Sequence, residues 1–245
     1  MSLQKATGIV IKRTEINDND IILTMFSKER GKFQAIAKGV KKTKSPLIGS
    51  TQLFCYTHFV YYTGKTFDYV NETELLESFY KIRNDLERFA IATYMIEIVL
   101  HSFEMDQQEE RVFNLLLYSL TLLNKPIRDT RLLLLAYQLK IVGLMGYAPN
   151  LDACSHCHRK MEEHHYSNHF GGLICGDCRV KDPYAKFIRN DAITMIDKLL
   201  FCPLKQINTF QFNNEGINVM INIMNQYITY HIDKKLFSYA FLETI

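Results

Sequence analysis

The sequence has no apolar run long enough to cross a bilayer. Its longest aliphatic stretch, Leu132 to Ala136, is five residues, against the ~20 that a spanning helix needs. The opening Met1-Ser2-Leu3-Gln4-Lys5 holds no apolar core of a secretory signal, so a cytoplasmic protein is expected. Glycine and proline are scarce, eleven and five in 245 residues. With abundant Ile, Asn, Lys and Tyr, this points to A·T-rich coding and says nothing of function. No internal repeat or low-complexity segment occurs, which sets repeat architectures aside. Catalytic signatures are also missing. There is no H-E-x-x-H, G-x-S-x-G or G-x-G-x-x-G, the spacings that zinc peptidases, serine hydrolases and dinucleotide enzymes use. Gly64-Lys65-Thr66 matches the end of a phosphate-binding loop, but that motif needs glycine where this chain has Phe59. A hairpin turn is the better reading. Glu162 and Glu163 beside His164 and His165 are consecutive loop residues, a poor frame for a general base. The chain is expected not to be an enzyme.

What is present begins with four cysteines in two pairs, Cys154-Ser155-His156-Cys157 and Cys175-Gly176-Asp177-Cys178, seventeen residues apart. That spacing reads as a zinc site. Each C-x2-C turn aims two sulfurs at one point, and two such turns complete a tetrahedron around Zn²⁺. Gly171, Gly172 and Gly176 supply the turns. Four cysteine ligands close the site, whereas catalytic zinc keeps a position open. The expected metal is therefore one structural Zn²⁺, worth on the order of 10–16 kcal/mol of apparent binding energy to folding. His156, His158, His164, His165 and His169 crowd the same stretch. They read as solvated loop residues, although one of them could replace a cysteine. Cys55 and Cys202 sit in apolar runs and read as small buried residues. Reduced thiols fit the cytoplasm.

The periodicity changes along the chain. Residues 1–80 carry five short β-type segments: Ala6–Ile16, Ile21–Phe26, Phe33–Val40, Thr51–Thr63 and Phe67–Leu76. The stretch Lys38–Ser50 is too basic and too rich in turn formers to be a strand. Five strands in so short a span suggest a small barrel, with the OB-fold as the natural candidate. From residue 81 the period becomes 3.6. Asn84 is expected to cap a first helix, Arg111–Asn124 to form a second, and Pro126 to start a third that ends at Met145 before Gly146. After the cysteine segment, helices are expected at Asp191–Leu200 and Gly216–Tyr230, with a last short one near Tyr230–Tyr239. The fold class is α+β: an N-terminal OB-fold β-barrel (1–80) followed by an α-helical bundle (81–245) with a zinc-binding insert at about 148–182.

Net charge is only +3, but residues 1–50 hold ten Lys and Arg against four acids. A local basic excess is the footprint of a polyanion. Single-stranded nucleic acid is the common ligand of this type of barrel, bound by cations along the phosphates and by aromatic faces worth ~1–3 kcal/mol per stacked base. Lys38, Lys41, Lys42 and Lys44 in one loop, with Lys12 and Arg13 on the first strand, are the candidate DNA-binding residues. Phe26, Phe33 and Tyr61 are nearby aromatics, of which alternation sends some inward; Phe33 and Phe54 are expected in the core. No base-reading helix is apparent, so binding should be sequence-tolerant. A zinc-ribbon transcription or RNA-binding factor is the alternative. It would require a reading helix or dimerisation element beside the zinc site. A zinc deaminase would need an H-x-E arrangement that is absent.

Three pieces, in order, carry a resemblance. The first is Gly8-Ile9-Val10 followed by the turn Asn17-Asp18-Asn19-Asp20. The second is Gly31 followed by the basic run Lys38-Gly39-Val40-Lys41-Lys42-Thr43-Lys44-Ser45. The third is Gly146-Tyr147-Ala148-Pro149-Asn150-Leu151-Asp152-Ala153-Cys154, which leads into the cysteine pairs. With these the chain resembles, over nearly its full length, the RecO family of bacterial recombination mediators. The resemblance implies an OB domain, a helical bundle and a zinc insert. It also implies a nucleoid-associated protein that binds single- and double-stranded DNA and anneals complementary strands coated with single-strand-binding protein. Such a protein works with RecR, and often RecF, to load the RecA recombinase, without ATP hydrolysis. The family's basic signature usually contains arginine, where this chain has Val40 and lysines. Lysine neutralises phosphate without a bidentate fork.

Overall fold

The computed structural model describes residues 2–245. The chain divides into two compact units, one taking in the chain up to Pro126 together with Phe237–Ile245, the other Ile127–Leu236.

In the first unit, β1 (Leu3–Glu15), β2 (Ile21–Ser27), β3 (Gly31–Ala37), β4 (Tyr56–Tyr62) and β5 (Asp68–Glu77) form a closed barrel of order β1-β2-β3-β5-β4. β1 pairs antiparallel with both β2 and β4. A break in register between Val10 and Lys12 lets so long a strand bend around the barrel. The ring closes through one short parallel contact, Ala35 with Asp68 and Ile36 with Tyr69. This is the OB-fold arrangement. Alternation explains the interior. Along β3, Phe33, Ala35 and Ala37 are buried while Lys32, Gln34 and Ile36 are half-buried, and Val10, Leu23, Met25 and Phe59 fill the same core. Gly64 lies in the β4–β5 hairpin, where an added Cβ would come within 2.1 Å of the Phe67 carbonyl oxygen. The Gly-Lys-Thr tripeptide is thus a tight turn between antiparallel strands.

The barrel buries Phe33 and Phe54 as expected, and it also buries Phe26 and Tyr61, which corrects their reading as stacking aromatics. Phe33 and Tyr61 pack at 5.5 Å inside the barrel, with the Arg30 guanidinium 4.9 Å from the Phe33 ring. Phe26 leaves the barrel interior altogether and packs against Phe103 and Phe113.

Three helices follow in this unit: α1 (Tyr80–Arg83), α2 (Leu86–Ser102) and α3 (Glu110–Leu123). The cap of α2 is Asp85, whose carboxylate accepts from the Arg88 N–H at 3.0 Å. Asn84, expected in that role, instead ends α1. Glu97 interrupts the apolar stripe of α2 for a reason that lies far along the chain. Its carboxylate accepts from the backbone N–H groups of Phe237 and Ser238 at 3.0 and 2.8 Å, and from the Ser238 hydroxyl. It thereby caps the C-terminal helix Phe237–Leu242, whose first N–H groups have no partner within their own helix.

The second unit holds α4 (Thr130–Leu144), a small sheet of β6 (His165–Ser167), β7 (Gly172–Ile174) and β8 (Lys186–Phe187), then α5 (Asn190–Phe201) and α6 (Asn214–Ile232). α4 starts at Thr130 and not at Pro126, because the Asp129 carboxylate accepts from Arg131 and Leu132 N–H groups at 2.9 and 3.3 Å. It stops where Gly146 takes φ +88°. Its Leu132–Leu135 run is buried throughout, since α5 and α6 both pack on it. α6 ends at Asp233 in the left-handed conformation, so the last helix begins at Phe237 and not near Tyr230.

Candidate functional site

The four cysteines converge. Cys154, Cys157, Cys175 and Cys178 place their sulfurs within 4.8 Å of one another, an arrangement that could hold a metal ion. Two local turns bring this about. His158 N–H donates to the Cys154 carbonyl at 2.8 Å and Cys178 N–H to the Cys175 carbonyl at 3.1 Å. Cys154 Sγ accepts from the Cys157 and Cys175 N–H groups at 3.5 and 3.4 Å. The turns are joined by a close backbone crossing, in which Leu173 N–H donates to the Asn150 carbonyl at 2.9 Å and Ser155 N–H to that of Leu173 at 2.7 Å. Only glycine fits at 172, where a Cβ would stand 2.3 Å from the Asn150 oxygen.

The core around these sulfurs is small. Cys154, Ile174, Cys178 and Ala185 are buried, and Cys157, Met161, Phe170 and Cys175 pack against them. So little apolar surface cannot offset the ordering of a segment this long, which is the circumstance in which metal binding supplies folding energy. The thiols are unequal. Burial raises Cys154, but the N–H groups of Cys157, Cys175 and His156 and the Cys157 thiol outweigh it and bring it down to about 6. Burial and the facing thiols push Cys178 up to about 12. A cluster with one readily ionised thiol, Cys154, is suited to a soft cation.

The histidines separate. His156 comes within 3.5 Å of Cys178 Sγ through Nδ1, but among the described residues the group able to hold an ion is the four cysteines alone. His156, His158 and His169 are exposed and His164 is half-buried. His165 departs from the expected solvated loop position. It is buried, its ring lies against Phe187, and burial first, then nearby Arg179, lowers its pKa.

The other candidate residues lie on the first unit. Lys12, Arg13, Lys38, Lys41, Lys42 and Lys44 are all exposed. The loop that follows β3 is pinned to the β1–β2 turn. Gly39, at φ +65°, donates its N–H to Asp20 Oδ1 at 2.6 Å, and Lys41 donates its N–H to the Asn19 carbonyl at 3.1 Å. Asn17 braces the turn by accepting from the Asn19 and Asp20 N–H groups and donating to the Asp20 carboxylate at 3.0 Å. Arg13 reaches Gln52 Oε1 at 3.0 Å, Lys41 Nζ pairs with Glu15 at 3.0 Å, and Lys38 Nζ lies 4.7 Å from the Tyr69 ring centroid. Lys12 faces Thr24 across the β1–β2 pair. The sequence showed the cations but not the clip that holds them. The spaced Asn17 and Asp20 were its only visible trace.

The Gly39 N–H, followed by the Asn17 side chain, holds the Asp20 carboxyl below the usual carboxylate range. A depressed carboxyl contributes stability above its unfolded pKa and loses it as pH falls through the folded pKa. The clip is therefore complete at neutral pH and opens in acid. Replacing Asp20 with Ala should speed hydrogen exchange at Gly39 and Lys41 at neutral pH while the barrel strands keep their protection. Unchanged exchange at both amides would show that the carboxylate does not hold the loop.

Comparison with known proteins covers both halves of the chain. The pattern described as Recombination protein O N terminal matches residues 1–79, and Recombination protein O C terminal matches residues 83–240. The chain is 31% identical to a DNA repair protein RecO of Acetivibrio thermocellus, over 100% of this chain and 98% of that protein. It is 34% identical to that of Pelotomaculum thermopropionicum, over 99% and 94%. Against the RecO protein of Alkaliphilus metalliredigens it is 33% identical over 96% of each. No helix of the described residues is long and apolar enough to cross a membrane.

Proposed function

The chain belongs to the Recombination protein O family, and from this premise we propose that it is a recombination mediator in DNA repair. It binds single- and double-stranded DNA, anneals complementary strands and, with RecR and RecF, helps load the RecA recombinase onto strands held by single-strand-binding protein. It hydrolyses no ATP, is not an enzyme, and works in the cytoplasm at the nucleoid. The observation that carries this reading is the lysine loop clipped to an OB-fold barrel, in a chain whose two halves both match the family.

The division of labour follows the sequence. Residues 1–80 bind DNA through Lys12, Arg13, Lys38, Lys41, Lys42 and Lys44, and the part from 81 to 245 carries the zinc insert. Annealing needs two polyanions to meet, so a row of exposed lysines that screens phosphates on both strands lowers the barrier without reading sequence. Cys154, Cys157, Cys175 and Cys178 hold one structural Zn²⁺. In a zinc tetrahedron with Zn–S of about 2.3 Å the sulfurs stand roughly 3.8 Å apart, and the Cys157 and Cys175 sulfurs are 3.8 Å apart here. With four thiolates the shell is full, so the metal orders the insert and performs no reaction.

Mixing complementary oligonucleotides with the protein, without nucleotide and at two salt concentrations, tests the reading. Faster duplex formation that weakens at the higher salt is expected. Annealing no faster than without protein, or dependent on ATP, would contradict it.

A further inference from the structure

A cavity of about 190 Å³ opens between the insert and α6, lined among others by Asn168, Asp182, Tyr184, Lys186, Gln226 and Tyr230. It is smaller than the ~300–1,000 Å³ of pockets for drug-sized ligands, so its natural guest is one planar group. Tyr184 on its rim is 90% exposed, yet its backbone is fixed. The Tyr184 N–H donates to Asp182 Oδ1 at 3.1 Å, and the buried Asp182 is itself held by the Ser167 hydroxyl at 2.6 Å. A large aromatic face standing in solvent on a rigid turn pays little ordering cost when a second ring stacks on it. Lys186 is placed beside it by the pairing of β8 with β6 and has no ion-pair partner among the described residues. The Asn168 amide, which also faces the cavity, has no hydrogen-bond partner among them. Gln226 donates to Asn222 at 2.9 Å, which leaves its carbonyl oxygen to accept.

We propose that this cavity takes one base of single-stranded DNA, stacked on Tyr184, with its edge on the Asn168 and Gln226 amides and an adjacent phosphate on Lys186. Stacking on an aromatic beside a cation is the general chemistry of single-strand binding, and amides carry the donor and acceptor that a base edge requires. The wall contains the Asp182 carboxylate and no arginine. A neutral base edge tolerates that, whereas a carboxylate-rich peptide does not. The site adds a base contact outside the barrel, where Phe26, Phe33 and Tyr61 are buried. The proposal rests on the DNA-binding reading above.

The test compares a labelled dT oligomer with an abasic oligomer of equal length, binding to full-length wild type, Tyr184→Ala, Tyr184→Phe and the triple Lys41→Ala, Lys42→Ala, Lys44→Ala variant. Tyr184→Ala should weaken binding of the dT oligomer by about 5- to 150-fold, the range one lost stack produces. It should leave the abasic oligomer unaffected, and Tyr184→Phe should retain wild-type binding. The triple lysine variant should weaken both oligomers. Tyr184→Ala that keeps its melting temperature and binds the dT oligomer as wild type overturns the inference and leaves the DNA-binding reading standing. A wild type that binds neither oligomer overturns both. Displacement of the dT oligomer by an alternating Asp-Phe peptide, lost in Tyr184→Ala, would assign the cavity to a protein partner and overturn the inference.

Discussion

Replacing Cys175 with Ser should release the metal and melt the insert. Structural zinc contributes roughly 10–16 kcal/mol of apparent binding energy, and the segment from Asn150 to Ala185 has only a small core around its sulfurs to fall back on. The loss spreads beyond the insert, because Tyr166 of β6 is buried against Tyr227 of α6 at 5.6 Å, so the second unit loses packing with it. If half of the metal's contribution is felt globally, the melting temperature should fall by about 10 °C or more, given about 2–4 °C per kcal/mol in chains of this size. Metal content should drop from one equivalent toward none. The barrel should be spared, and with it the salt-dependent part of DNA binding. A Cys175→Ser protein as heat-stable as wild type would show that the cysteine cluster is not structural.

The second large effect concerns the lysine loop. Changing Lys41, Lys42 and Lys44 together to Ala should weaken binding to single strands of every sequence alike, since phosphate contacts carry no sequence information. Each lost contact removes about 0.7 from the slope of log affinity against log salt on single strands, so the slope should fall by roughly 2 if all three engage. Annealing should slow in parallel. The fold should persist, because the three side chains are exposed and the loop is held by backbone and carboxylate contacts of Gly39, Lys41 and Asp20. Lys41 also pairs with Glu15, an exposed ion pair of the kind worth little to stability. Wild-type affinity and slope in the triple variant would move the DNA site away from the barrel.

The parts legible in the sequence were those governed by local rules. β-branched and apolar runs marked the barrel strands, and the ends of β2 and β5 fall within one residue of the expected segments, whereas β4 starts at Tyr56 and not at Thr51. The C-x2-C spacing placed four sulfurs together because each pair is bound by its own turn. Helix starts were harder where two polar residues competed for the cap. Asp85 prevailed over Asn84, and Asp129 over a start at Pro126, because a carboxylate at the right φ and ψ accepts the first free N–H groups. The aromatics were misjudged for a different reason. Alternation tells which side of a strand faces the barrel interior, but not that its other side is buried too, as Phe26 is against Phe103 and Phe113. Long-range contacts left little trace. Glu97 looked like a flaw in an apolar stripe, and nothing near it in sequence announces Ser238. Asp182, Tyr184 and Lys186 form no motif in the sequence, and the sheet brings them to one cavity.

The claim that the clipped lysine loop of the barrel is the DNA-binding surface is tested most directly by hydrogen exchange, comparing the free protein with its complex with a dT oligomer. The account predicts slowed exchange across Lys38–Ser45 in the complex, and loss of that protection in the triple lysine variant. Protection confined to residues 127–236, with Lys38–Ser45 exchanging as in the free protein, would contradict it.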